Sequence, residues 1–511
     1  MTTPRVAVVG SGIGGLVAAL RLAAAGCAVT VFERAASPGG KMRELAVEGR
    51  AIDSGPTVFT MRDVFDAIFA DAGASFAEAV TLRPLDILAR HRWTGGAQLD
   101  LFSDISRSAD AIGSFAGAAA AAGYREFCDR AERIHATLGD SFIRAPRPNP
   151  ASLALRVGRR RLGALAGISP FTTMWRALGE HFADPRLRQL FGRYATYCGS
   201  SPFQATATLM LVAHVEREGV WAVEGGMRRV VEALVRLAES RGATFRYGAA
   251  IESIRVGRGG ACGLVLTGGE VVEADAVVAN ADAGAFAAGL LGPDVARAAA
   301  AVPERARSLS ALTWSLVAET EGAPLAHHNV CFSDDYQAEF DALRGGRAPD
   351  DPTVYVCAPD RREGAPAPAG PERLFLIANA PPNGDGAPLD LTETARCETR
   401  TFQRLERCGL SVRRRPGSSV VTTPRDFAAS YPGTGGALYG RAAHGWMASF
   451  QRPGSRSRIP RLYLAGGSVH PGPGVPMAAI SGMLAADSLV EDLASTRPSR
   501  RAATLGGMST P

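Results

Sequence analysis

The sequence predicts an α/β fold, a Rossmann-like dinucleotide-binding domain carrying an inserted α+β substrate domain and a helical, membrane-associating region. Three observations point to the dinucleotide domain. The first is the run Val6-Ala7-Val8-Val9-Gly10-Ser11-Gly12-Ile13-Gly14-Gly15, four apolar residues and then closely spaced glycines. The second is a strand-like segment, Ala28-Val29-Thr30-Val31-Phe32, that ends in Glu33, 18 positions after Gly15. The third is the return of strand-then-turn segments far along the chain, at Ala276-Val277-Val278-Ala279-Asn280 and at Leu462-Tyr463-Leu464-Ala465-Gly466-Gly467.

Val6 to Val9 read as a buried parallel strand, because such strands are apolar on both faces. Gly10 permits the tight turn, Gly12 lets a pyrophosphate approach the backbone, and Gly15 lets the next helix pack on the strand. That helix is expected to begin near Gly14, with Leu16, Leu20 and Leu22 on its apolar face. Its N-terminus offers free N–H groups and a positive dipole end to phosphates. Glu33 stands where a partner for the ribose hydroxyls is expected. A chance glycine turn in a chain of 58 glycines would not bring strand, turn, helix, second strand and acid into register.

Two further glycine segments follow Glu33: Ser37-Pro38-Gly39-Gly40-Lys41-Met42 and Asp53-Ser54-Gly55-Pro56-Thr57. An NAD domain has no need of them. The longer flavin of a glutathione-reductase-type domain runs past this loop, which makes FAD the expected cofactor and Gly40, Lys41, Gly55, Pro56 and Thr57 its expected neighbours. Here the chain resembles the flavin-dependent amine oxidase and phytoene desaturase superfamily. That pattern has Arg after the glycine pair, whereas this chain has Lys41, its only lysine. The two are not equivalent partners, and a solvated cation on the adenine-side loop is the alternative reading.

The C-terminal segment Gly466-Gly467-Ser468-Val469-His470-Pro471-Gly472-Pro473-Gly474-Val475-Pro476 closely resembles the last FAD-contacting segment of carotenoid desaturases. The resemblance implies flavin contacts at Gly466, Gly467, Gly474, Val475 and Pro476, with a helix from Met477 to about Leu493 aimed at the flavin. Ser468 stands near a position where many flavoproteins carry Asp. Trp221 to Met227, Glu273 to Asp282, Thr423 to Phe427 and Gly436 to Gly440 resemble further blocks of the same pattern, in the right order.

Composition fits a globular enzyme of two or three domains, with 46% hydrophobic and 21% charged residues and a mean hydropathy of +0.02. No apolar run is long enough to span a bilayer, and the first strand leaves no room for a signal peptide. The eight Cys residues are scattered without C-x-x-C spacing, so neither zinc nor a disulfide scaffold is expected. His327 and His328 are adjacent and expected to diverge, which argues against a metal site. The net charge is +6, yet the basic residues are dispersed and no nucleic-acid fold is visible. The exception is Arg156-Val157-Gly158-Arg159-Arg160-Arg161 among leucines, followed by Phe171, Met174 and Trp175. Such a segment suits an anionic membrane surface, and an ordinary exposed basic helix face is the alternative.

The FAD-binding domain is therefore expected to be discontinuous, at 1–75, 219–285 and 455–495. Residues 104–218 read as helical, with 150–175 the surface through which a lipid substrate would enter. Residues 76–103 and 286–454 read as the substrate domain, with strands at Leu312–Ala318, Thr353–Val356 and Arg373–Ala378; 496–511 read as a disordered tail.

Within the desaturases, Gly55-Pro56-Thr57-Val58-Phe59-Thr60-Met61-Arg62 resembles the 1-hydroxycarotenoid 3,4-desaturase (methoxyneurosporene dehydrogenase) subgroup. The implied reaction removes a hydride and a proton from a C–C bond of an acyclic C40 carotenoid at the cytoplasmic side of a membrane. No second nucleotide fingerprint stands out, so a quinone or oxygen is the expected electron acceptor. Glu224 and His470 are the candidates for handling the proton, with helix capping and loop bracing as their alternative roles. Phytoene or neurosporene desaturase, carotenoid isomerase, flavin amine oxidase and a non-enzymatic prenyl-protein carrier are the competing functions.

Overall fold

The computed structural model describes residues 3–158 and 167–495. The arginines at 159–161 and the expected tail at 496–511 lie outside the described residues.

Five short apolar strands form an all-parallel sheet in the order Leu462–Leu464, Ala276–Ala279, Arg5–Val9, Ala28–Phe32, Thr244–Arg246. Three distant stretches of chain thus meet in one sheet. The helices Ile13–Ala24, Arg228–Ser240 and Val475–Ser495 cover one face. Val8, Leu16, Val31, Val230, Val278 and Ile480 belong to a single core cluster. The first and last of these helices touch backbone to backbone, because a Cβ on Gly482 would lie 2.3 Å from the Gly14 carbonyl oxygen. Against the other face lies an antiparallel meander, Ile251–Gly257, Gly260–Leu266 and Val271–Glu273. Sequence reasoning missed it, since Ile251–Gly257 lacks a sustained alternation and Gly263 interrupts the strand after it.

The second body is a seven-stranded sheet, ordered Leu410–Thr422, Ser310–Gly322, Glu372–Ala380, Val354–Cys357, His328–Cys331, Ile87–Arg92, Gln98–Phe102. The three strands expected at 312–318, 353–356 and 373–378 are central to it. Register places His91, Val330, Tyr355, Ile377 and Thr313 in one row across the sheet. Paired residues share a face, so this row and its neighbours decide what that face offers to a ligand.

The stretch expected to be helical contains Ile105–Ala116, Ala118–Leu138, Pro150–Val157, Met174–His181, Pro185–Gly192 and Leu211–Arg217. Asp104, Asn149, Thr173 and Asp184 accept the first free backbone N–H groups of four of them. Their inner faces pack through Tyr124, Phe127, Phe182, Leu187 and Phe191. Among the described residues no helix is long and apolar enough to cross a membrane.

Candidate functional site

Adjacent strands of the parallel sheet end at one place, and the loops leaving them build a crevice there. Gly10 turns with φ +91°, and its N–H donates to the Phe32 carbonyl at 2.8 Å. A Cβ on Gly15 would lie 2.1 Å from the Gly10 carbonyl oxygen, so only glycine allows the helix to start this close to the strand. The helix opens at Gly12 with no side-chain cap, leaving its first N–H groups for an anion. Asn280, at the end of the neighbouring strand, donates from Nδ2 to the Gly10 carbonyl at 3.4 Å. A Cβ on Gly14 or Gly466 would meet Asn280 Oδ1, at 2.9 and 2.7 Å respectively, so these turns converge on that one side chain. Gly40 folds back over the turn, with Gly12 and Gly39 bridged in parallel. The Glu33 carboxylate is buried, accepting from Ser11 N and Ser11 Oγ at 2.8 Å each and from Ala35 N at 2.9 Å. An uncapped helix start, a backbone cradle that side chains would fill, and a fixed acid at the second strand fit the diphosphate and ribose of a dinucleotide.

From the crevice a cavity runs between the two bodies. Of the residues expected to meet FAD, Lys41, Gly55, Pro56, Thr57, Gly474, Val475 and Pro476 line it. Gly10, Gly12, Gly14, Gly15, Glu33, Gly40 and Gly466 surround the crevice instead. Gly467 sits between the two, its carbonyl accepting from buried Arg452 at 3.2 Å. Ser468 Oγ accepts from Ala283 N at 2.9 Å, which ties that loop to the next strand end.

Lys41 is not the solvated cation of the alternative reading. Its ammonium donates to the Leu438 carbonyl and lies 5.3 Å from the Tyr431 ring centre, in the cavity wall and not among solvent on the adenine side. Burial pushes its pKa down, and the charge of Asp282 opposes that shift.

The two proton-handling candidates are placed outside the cavity wall. Glu224 forms ion pairs with Arg83 at 3.4 Å and Arg362 at 3.1 Å. His470 is 1% exposed. Its Nε2 meets the Ala145 carbonyl at 3.0 Å, and its ring meets Phe142 edge-on at 4.9 Å. Since a carbonyl only accepts, Nε2 carries the proton. Burial pushes the ring's pKa down to about 4, so it is neutral at pH 7. His470 thus joins the flavin-side loop to the helical region. His327 and His328 were expected to diverge, yet their ring nitrogens and Cys357 Sγ lie within 4.8 Å of one another, because His327 precedes the strand that His328 begins.

One polar cluster in the cavity wall escaped sequence reasoning. Tyr194 OH and Tyr197 OH both donate to Glu216, the latter at 2.9 Å, and Arg193 Nη1 donates to Tyr197 OH at 2.6 Å. Glu216 and Arg193 are 2% and 5% exposed. Beside it, Tyr355 OH lies 2.7 Å from both Thr57 Oγ1 and His328 Nδ1. The sequence signal was an Arg and two Tyr in one apolar segment, but Glu216 comes from another helix.

Residues 13–490 match the family described as flavin containing amine oxidoreductase. A hydroxyneurosporene desaturase of Rubrivivax gelatinosus is 54% identical over 512 residues, covering 100% of this chain and 98% of that protein. A hydroxyneurosporene desaturase of Cereibacter sphaeroides is 45% identical over 498 residues, covering 96% of this chain and 98% of that protein. The crystal structure of an oxidoreductase from Methanosarcina mazei has the same fold at 17% identity, with a TM-score of 0.59, covering 95% of this chain and 100% of that one. The chain is an FAD-dependent oxidoreductase and belongs, among the carotenoid desaturases, to the flavin-containing amine oxidoreductase family.

Proposed function

We propose that the protein desaturates the C-3,4 bond of an acyclic 1-hydroxy- or 1-methoxycarotenoid such as 1-hydroxyneurosporene, and that it does so at a membrane surface. The apolar cavity carries this reading. Its wall includes Leu138, Phe142, Ile143, Leu153 and Ile168, together with Gly55–Thr57 and the first turn of helix Val475–Ser495. A long polyene fits such a wall, whereas a charged amine would find few partners in it.

On this reading Gly10, Gly12, Gly14, Gly15, Glu33 and Gly40 hold the adenosine diphosphate half of the cofactor. Lys41, Gly55, Pro56, Thr57, Gly466, Gly467, Gly474, Val475 and Pro476 hold its flavin half. Bound there, FAD supplies the hydride acceptor. The residues of the chain have three tasks: to exclude water, to press one C–C bond of the polyene against that acceptor, and to let a proton leave. The developing cation is allylic, so positioning outweighs acid–base power. His470, neutral and outside the wall, acts as a positioning residue, and Glu224 as a surface ion-pair partner. A quinone or oxygen takes the electrons onward.

Residues 1–75, 219–285 and 455–495 then form the cofactor domain, and 76–103 with 286–454 the substrate domain. Exposed apolar side chains next to the cavity lining support the membrane part of the reading. Leu155 and Phe171 are 78% and 80% exposed, and Trp446 packs on Phe171 at 5.5 Å between ring centres. Leu153, Pro170 and Trp446 line the cavity itself. Aromatic and aliphatic side chains of this kind sit at the headgroup level of a bilayer.

Product analysis tests the function. FAD-loaded protein with 1-hydroxyneurosporene in liposomes and a quinone is expected to yield a polyene two hydrogens lighter and absorbing further to the red. A product of unchanged hydrogen count would move the protein to the isomerases.

A further inference from the structure

The cavity face of the seven-stranded sheet carries Thr313, Asn379 and Tyr355 among apolar side chains, and buried polar groups flank one corner of it. The row Thr313, Ile377, Tyr355, Val330 and His91 ends there, and His328 lies two residues before Val330 on the same face. Arg193 approaches this corner from the helical region, and Tyr336 from the helix Tyr336–Arg344. Arg193, Tyr336 and His328 are 5%, 6% and 2% exposed.

All three hold polar atoms without a hydrogen-bond partner among the described residues: Arg193 Nε and Nη2, Tyr336 OH and His328 Nε2. Unpaired polar atoms buried this deeply are rare and costly, about 1–3 kcal/mol each. Arg193 and Tyr336 both line the cavity, and His328 stands behind its wall, with Nδ1 2.7 Å from the OH of Tyr355, which lines it too. Burial above all, then His327 and Arg193, holds the His328 ring well below its ordinary pKa and so neutral. The corner therefore offers guanidinium donors, a phenol and a neutral imidazole nitrogen, but no free carboxylate. Glu216 already accepts from both Tyr194 and Tyr197.

A hydroxyl is the group these atoms complement, since it donates one hydrogen bond and accepts two. Its place along the cavity is also right. In a 1-hydroxycarotenoid only C1 and C2 separate the oxygen from C3, so the hydroxyl must lie close to the bond that reacts. The corner is joined to the flavin-side loop through Tyr355, which bonds both His328 and Thr57.

We infer that Arg193 and Tyr336, with the ring of His328 beside them, bind the hydroxyl of a hydroxylated polyene end group and set the preference for hydroxylated over hydrocarbon ends. This deepens the proposed function and rests on it. Arg193 has a second task, to balance Glu216, 4.0 Å from its Nη2. Removing its charge would endanger folding, so the gentler variants Tyr336→Phe and Arg193→Lys are the ones to make.

The test is equilibrium binding of 1-hydroxyneurosporene and of neurosporene to FAD-loaded protein in detergent, read by quenching of tryptophan fluorescence. Wild type is expected to bind the hydroxylated polyene about tenfold more tightly, the worth of one well-made hydrogen bond in a dry site. In both variants the ratio of the two affinities is expected to fall toward one. A purely structural role would weaken both ligands by the same factor and leave the ratio intact. No preference in wild type, or an unchanged ratio in both variants, overturns the inference. A wild type that prefers the hydroxylated polyene yet never desaturates it upholds the anchor and overturns the proposed reaction.

Discussion

A methyl group at Gly15 would stand 2.1 Å from the Gly10 carbonyl oxygen, well inside van der Waals contact. Gly15→Ala must push the helix start away from the strand end, at a cost of about 1–3 kcal/mol. If that cost falls on the crevice, FAD affinity drops about 10–100-fold. Flavin titration of a folded apoprotein checks this. His470 makes a different kind of claim. Its folded pKa of about 4 lies below the ordinary value of 6.5, so its contribution to stability is present above pH 6.5 and is lost as pH falls toward 4. Thermal melts between pH 7 and 4.5 are expected to show a shallower acid loss for His470→Asn than for wild type. Equal slopes would place the acid sensitivity elsewhere. Residue positions were legible in the sequence where local order fixes them, as at Gly10–Gly15 in the crevice and Gly474–Pro476 in the cavity lining. They were not legible where a side chain has more than one way to turn. Lys41 follows the glycine pair as expected, but reaches Leu438 in the cavity wall. Glu224 adjoins the Gly225-Gly226 turn, but is drawn to Arg83 and Arg362. Arg193 and Glu216 meet only through tertiary packing, and no short-range pattern encodes that.

Helices Ile13–Ala24 and Val475–Ser495 lie at opposite ends of the chain and are in contact in the fold. Gly482 makes the contact close, since a Cβ there would lie 2.3 Å from Gly14 O. Gly482→Ala is expected to destabilise the protein by about 1–3 kcal/mol, as overpacking does. Chemical denaturation checks this, and a change below about 0.5 kcal/mol, the size typical of a surface substitution, would show that the helices separate freely. These helices and the strands beside them were readable from the sequence, because each carries an apolar run bounded by glycine or proline. Ser310–Gly322 and Glu372–Ala380 were readable too, from the apolar runs at Leu312–Ala318 and Leu374–Ala378. The meander from Ile251 to Glu273 was not, for Ile251–Gly257 lacks a sustained alternation, Gly263 interrupts the next strand and the last has three residues. Strand order within the larger sheet was also hidden. Ile87–Arg92 pairs in parallel with His328–Cys331 across more than 200 residues of chain, and nothing local announces such a partner.

At the scale of the whole molecule, two bodies enclose an apolar cavity lined in part by half-exposed Trp446, on which exposed Phe171 packs. Replacing Phe171 and Trp446 together by Ser is expected to lower binding to anionic liposomes at least tenfold, because burying large side chains in the interface is worth about 1.5–3 kcal/mol each. Flotation of wild type and variant measures it, and equal flotation would put the docking surface elsewhere. The central claim is that the bound flavin takes hydrogen directly from a hydroxylated polyene held in this cavity. The most direct test is an anaerobic single turnover. FAD-loaded protein is mixed, without any acceptor, with liposomes carrying 1-hydroxyneurosporene or phytoene, and the flavin and polyene bands are followed together. The account predicts that the flavin bleaches in step with a red shift of the hydroxylated polyene, one flavin reduced per double bond formed, and that phytoene leaves both bands unchanged. Bleaching with phytoene, or a flavin that stays oxidised with both, would contradict it.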